Sequence, residues 1–176
     1  MNIKSILTIG VVVAIGALVL FARASNDGSG TTTIAAPDTA TSDQAKPDVV
    51  TVYKTEACGC CLDWVDHLET NDLEVEVVNV ASTAPTREHF GVPPQLLSCH
   101  TGSINGYWVE GHVPADLVQK LITEKPADIR GISAPGMPMG SPGMEGPNPV
   151  QYDIIAYHAD GTTSVYATRQ GKEAVE

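Results

Sequence analysis

An α/β fold built on a mixed sheet is what this sequence predicts, and three features predict it. A β-branched strand segment is followed by a stretch with helical periodicity and then by a second strand segment. An Asn-Gly pair between two short apolar runs marks a hairpin. A second helical pattern follows that hairpin.

The elements follow in order. DVVTVYK (residues 48–54) alternates and is β-branched, so it reads as a strand. From Cys61, apolar residues fall at Cys61, Trp64, Val65 and Leu68, the spacing of one helix face, while Asp63, Asp66 and Glu69 take the other. That helix should stop near Asn71 and Asp72. LEVEVVNV (73–80) is a second strand, apolar at Leu73, Val75 and Val77, and APTREHFGVPP (84–94) allows a short helix ending by Gly91. TGSI and YWVE flank Asn105-Gly106, the strongest two-residue hairpin signal. Pro114 suits a first helical position, and Leu117, Val118, Leu121 and Ile122 mark a helix face running to about Glu124. A helix between the first two strands implies a right-handed parallel crossover. The order β-α-β-(α)-β-β-α is that of a thioredoxin-like fold. Two pieces extend it: a Met-rich loop without period, SAPGMPMGSPGMEGPNP (133–149), and a C-terminal β-hairpin of QYDIIAYH and TTSVYAT around Ala159-Asp160-Gly161.

The folded domain should span residues 48–170. Ahead of it, residues 1–24 carry Lys4, an apolar run over 6–22 and the ending Ala22-Arg23-Ala24. That is the pattern of a secretory signal peptide; the run is also only slightly short of the ~20 residues of a membrane span, so an uncleaved N-terminal anchor is the alternative. Either places the domain outside the cytoplasm, in the periplasm or an equivalent space. Residues 25–47 hold one large aliphatic side chain, Ile34, among Ser, Thr, Ala, Asp, Gly and Pro, the composition of a disordered tether. Without Lys4 and Arg23, eight basic residues stand against 21 acidic ones. Such a surface repels nucleic acid and anionic lipid and favours cations, so the only expected membrane contact is through an uncleaved N-terminal segment. No Ser-His-Asp arrangement, phosphate loop or paired-carboxylate signature stands out.

The chemistry concentrates in TEACGCC (55–61), where Cys58, Cys60 and Cys61 fall within four residues. Cys58 and Cys61 form a Cys-x-x-Cys between a strand and a helix, the position of a redox pair. The helix N-terminus favours thiolates there. Cys60 adds a third thiol that ordinary disulfide exchange does not need. The fourth, Cys99 in LLSCHTGSI, precedes the central hairpin, and the fold brings that loop against the Cys-x-x-Cys turn, with His100 beside it. Four readings follow: disulfide staples through Cys58–Cys61 or Cys60–Cys99, a structural zinc site, dithiol exchange, or a soft-metal site. Met137, Met139 and Met144 sit on the irregular loop, either packing over the sheet or serving as lid and auxiliary ligands; Cys and Met together favour Cu(I). His112, just past the hairpin, is a weaker candidate. His67, His89 and His158 read as solvated or packed.

CGCCLDWVDHLE, GVPPQLLSCHTGSINGYWVEGHVPADLVQKLI and APGMPMGSPGME together resemble the thioredoxin-like domain of CopG-type periplasmic copper-resistance proteins, over about residues 49–168. The resemblance implies an exported protein contributing to copper resistance and homeostasis. Its cysteines would hold Cu(I), singly or as a multinuclear thiolate-bridged cluster, and it would interconvert copper oxidation states. By position, the implied metal ligands are Cys58, Cys60, Cys61 and Cys99, with His100 beside the last. Cys58 and Cys61 would be the redox pair, and copper ions and other periplasmic copper-handling proteins the partners. The competing expectation is a copper-independent thiol-disulfide oxidoreductase of thioredoxin type.

Overall fold

The computed structural model describes residues 48–171 and 173–175; the leader and tether expected over residues 1–47 lie outside them. The elements are β1 (Val49–Lys54), α1 (Gly59–Thr70), β2 (Glu74–Asn79), α2 (Ala84–Phe90), β3 (Thr101–Ile104), β4 (Tyr107–Glu110), α3 (Ala115–Glu124), β5 (Ile129–Ser133), β6 (Gln151–His158), β7 (Thr163–Gln170) and β8 (Glu173–Ala174). A 3-10 turn, Pro94–Leu96, precedes β3. The strands form one mixed sheet in the order β2-β1-β3-β4-β5-β6-β7-β8. β1 pairs parallel with β2 and β4 parallel with β5, while the remaining neighbours run antiparallel. The first four strands and three helices are compatible with the thioredoxin-like plan, and β5 to β8 extend the sheet beyond it.

Strand alternation divides the apolar residues between two faces. One face carries Val50, Val52, Val109 and Ile154, packed by Trp64, Val65 and Leu68 of α1 and by Leu117, Val118 and Leu121 of α3. The other carries Trp108, covered by Val92 and Leu96, with Phe90, Ile155 and Tyr157 beside it. β1 is therefore covered on both faces, which is why five of its six residues are buried. The hairpin turn takes left-handed backbone at both central residues, Asn105 (φ 49°) and Gly106 (φ 85°), the geometry that Asn-Gly tolerates best.

Three readings need correction. Leu73 is buried but Val75 only partly so, and Val77 is exposed, because among the described residues β2 is the outermost strand and one of its edges has no neighbour. β5 carried no strand signal in the sequence. Gly131 sits at its centre because the Trp108 indole lies directly over it; a Cβ there would fall inside the ring. Packing selected a residue of poor strand propensity. Pro114 also lies one place earlier than expected, as the cap of α3 rather than its first residue.

Candidate metal centre

The centre is assembled from three chain segments that the sheet brings to one end. Cys58 caps α1 with extended backbone, so Cys60 and Cys61 occupy the first helical turn. That turn presents unpaired backbone N–H groups and the positive end of the helix dipole. Cys61 is fully buried against the core below, beside Trp64. Cys99 and His100 immediately precede β3, whose pairing with β1 carries them to the same end as the Cys58 turn. His112 follows β4, the hairpin partner of β3.

The sulfur atoms of Cys58, Cys60, Cys61 and Cys99 all lie within 4.8 Å of one another. Cys58 and Cys61 form a disulfide, with Cα atoms 5.4 Å apart. Cys60 and Cys99 are free thiols, so of the two staples the sequence allowed only the first is present. The Cys58 and Cys60 sulfurs are 3.7 Å apart.

A second group shares Cys99. Its sulfur lies 3.2 Å from His100 Nδ1 and 3.0 Å from His112 Nε2. Both histidines are fully buried. The His112 Nδ1–H donates to the Pro142 carbonyl at 2.7 Å, which fixes the tautomer and leaves the Nε2 lone pair aimed at Cys99. His100 packs at a 39° tilt against Trp64 with ring centroids 4.3 Å apart, and Trp64 is itself anchored by its indole N–H, which donates to Val113 O at 2.8 Å. Among the described residues, His100 Nε2 has no hydrogen-bond partner. His112, the weaker candidate from sequence, thus stands level with His100.

Burial sets the protonation states. It pushes the Cys99 thiol up to about 11, and the negative charge of Cys60 adds to the rise. It holds His100 well below the ordinary 6.5, with His112 reinforcing the shift, and lowers His112 as well. Without a cation the site therefore favours neutral imidazoles and a protonated Cys99, and a bound cation must displace that proton. Two free sulfurs, two more on reduction of the disulfide, and two imidazole nitrogens form a donor set suited to a soft ion rather than to a hard oxygen-seeking one.

The Met-rich loop lies against this centre. Gly143 (φ 78°) sits on the first turn of α1, where a Cβ would be 2.7 Å from Cys60 O and 2.8 Å from Trp64 N. Met137 is exposed and lines a hollow of about 220 Å³ with Leu97, Ser98, Cys99 and Gly136. Met139 is exposed, its sulfur close to Gly146, and Met144 is half-buried with its backbone tied to Ser141 and Gly140. A larger hollow, about 610 Å³, is lined by Asp63, Asp66, Asp116 and Glu145 and contains no cysteine. The donor chemistry, not cavity size, locates the site.

Sequence reasoning missed the groups behind the ligands. Glu110 is fully buried and accepts hydrogen bonds from Ser98 N–H (2.8 Å), Arg87 Nε–H (2.9 Å) and the Thr101 hydroxyl (2.6 Å). Burial raises its pKa, and those three donors oppose the rise. The one available signal was alternation, which places Glu110 on the same face of β4 as Trp108. His67, read as solvated or packed, accepts the Ala115 N–H at 3.0 Å and so caps α3.

A family model described as a protein of unknown function, DUF411, matches residues 96–144, which include Cys99, His100, His112 and the three loop methionines. Among curated proteins, none matches. Two solved structures do: copper resistance protein CopG form 2 and form 1, each 42% identical with a TM-score of 0.66. The first match covers 70% of this chain and 99% of the solved one, the second 72% and 100%. The chain belongs to the CopG family of copper resistance proteins.

Proposed function

We propose that this protein is an exported, periplasmic copper-binding protein that holds Cu(I) through Cys58, Cys60, Cys61 and Cys99, with His100 and His112 supplying nitrogen, and so contributes to copper resistance. The observation that carries the reading is the convergence of four sulfurs within 4.8 Å, with two imidazoles on the one sulfur that comes from elsewhere in the chain. Closely spaced thiolates repel one another, and a monovalent soft cation removes that penalty while protons compete for the same atoms. Copper affinity should accordingly weaken as pH falls. More sulfurs than one ion requires favour a multinuclear, thiolate-bridged cluster over a single ion.

The Cys58–Cys61 disulfide gives the site a redox pair. With the pair reduced, two Cu(II) ions can accept one electron each from the dithiol, yielding two Cu(I), one disulfide and two protons. Closing the disulfide takes two sulfurs out of the ligand set and leaves Cys60, Cys99, His100 and His112. The release of product ions is thereby linked to the oxidation that produces them, and a thiol reductant must reopen the pair for another turnover.

The disulfide at a helix N-terminus also favours a second reading, a copper-independent thiol-disulfide oxidoreductase. Cys60→Ser separates the two. Anaerobic titration of the reduced protein with Cu(I), read by native mass spectrometry, should give a defined copper number that drops in the variant. An unchanged copper number with intact disulfide reductase activity would select the second reading.

A further inference from the structure

Ser98, the residue before Cys99, is held through both of its backbone polar groups. Its N–H donates to the buried Glu110 carboxylate at 2.8 Å, and its carbonyl, in the peptide unit shared with Cys99, accepts from Arg87 Nη2. Arg87 also donates through Nε to the same Glu110 oxygen at 2.9 Å, so α2, the Cys99 segment and the end of β4 close into one ring of hydrogen bonds. The Ser98 hydroxyl donates to Gly136 O, at the start of the Met-rich loop, and lies 3.9 Å from the Cys99 sulfur. Gly136 N–H returns a bond to Leu97 O at 2.9 Å.

A buried ion pair is an expensive way to stabilise a fold, since desolvation offsets most of the attraction and apolar residues of similar volume often do better. What such a pair supplies is a fixed geometry. This one spans three segments and meets on the residue adjacent to Cys99, the site cysteine that lies outside the Cys58–Cys61 turn. We infer that Arg87 and Glu110 are positioning residues for the metal centre: they fix the Ser98–Cys99 backbone so that the Cys99 sulfur is already in place before an ion arrives. The inference rests on the copper reading for its consequence but not for its geometry. Thr101 supplies the internal control. Its hydroxyl donates to the other oxygen of the same carboxylate at 2.6 Å, while the bonds to the Ser98 backbone come from Glu110 Oε1 and Arg87. Losing it weakens the buried network without opening the Ser98 clamp.

The test uses the metal-free protein first, with Cys58–Cys61 oxidised and Cys60→Ser in the background, so that Cys99 is the single free thiol. Labelling of Cys99 by a disulfide reagent should accelerate about tenfold in Glu110→Ala and Arg87→Ala, less in Glu110→Gln, and less than about twofold in Thr101→Val at matched loss of melting temperature. In proteins retaining all four cysteines and loaded with Cu(I), transfer to a chelator should speed up in the same order, by about ten- to a hundredfold for the alanine variants, the range seen when groups supporting a ligand are removed. Circular dichroism confirms folding, and the near-isosteric Glu110→Gln carries the test if either alanine variant fails to fold. Wild-type labelling and release rates in folded variants would overturn the inference, as would an equal effect of Thr101→Val. Failure of the wild type to take up Cu(I) would overturn the copper reading instead, and the labelling arm would still decide the clamp.

Discussion

At the scale of single residues, the centre depends on Cys99 and His112 more than the sequence reveals. His112 Nε2 points at the sulfur because Pro142 O holds the opposite nitrogen, a geometry that needs no metal to form. Replacing His112 with Ala should weaken Cu(I) affinity by at least ~10-fold, measured by competition with a chromophoric chelator, while far-UV circular dichroism stays unchanged. Protonation gives a second residue-scale prediction. Burial depresses His100 and His112 below their ordinary 6.5, so in the folded state they remain neutral where the unfolded chain has already bound protons. The unfolded state then binds more protons, and stability falls as pH drops through about 6.5. The melting temperature of the metal-free domain should decline between pH 7 and pH 5, and a His100→Asn/His112→Asn variant should show a shallower decline. Cys99 acts at the other end: its raised pKa predicts stability lost as pH climbs from about 9 towards about 11.

At the scale of elements, the Met-rich loop and α1 form one unit. Gly143 has a left-handed backbone and no room for a side chain against Cys60 O and Trp64 N. Gly136 shares the left-handed φ (71°) but faces open space. Gly143→Ala should therefore cost about 2–3 kcal/mol in urea unfolding, against ~1 kcal/mol for Gly136→Ala, and only the first should also reduce copper retention. Trp64 is the matching anchor on α1, fully buried between the sheet and His100. Trp64→Phe keeps most of the apolar volume but loses the bond to Val113 O, with an expected cost of about 1–2 kcal/mol.

Across the whole molecule, what could be read from sequence was what local pattern controls. The helix face Cys61, Trp64, Val65, Leu68, the Asn105-Gly106 turn and the closing hairpin each carry their structure in neighbouring residues, and each formed as read. The convergence of Cys99 on the Cys58 turn was legible because the thioredoxin-like element order sets the loop entering the central hairpin against that turn, and the antiparallel pairing of β3 with β1 brings it there. β5 was not legible, since Gly131 was selected by the Trp108 ring lying over it and not by strand propensity. Nor was the buried Glu110 carboxylate, which in sequence is one more charge in an acidic chain and becomes distinctive only when Arg87, Ser98 and Thr101 close around it. The rank of His112 was hidden for the same reason, because its orienting partner Pro142 lies 30 residues away. The central claim is that folding alone brings Cys99 to the Cys58–Cys61 turn and so builds a soft-ion pocket. Copper K-edge X-ray absorption on the reduced, Cu(I)-loaded protein addresses it most directly. The account predicts a sulfur-dominated coordination shell with a nitrogen contribution, losing sulfur in Cys99→Ser; a shell without sulfur, or one indifferent to that substitution, would contradict it.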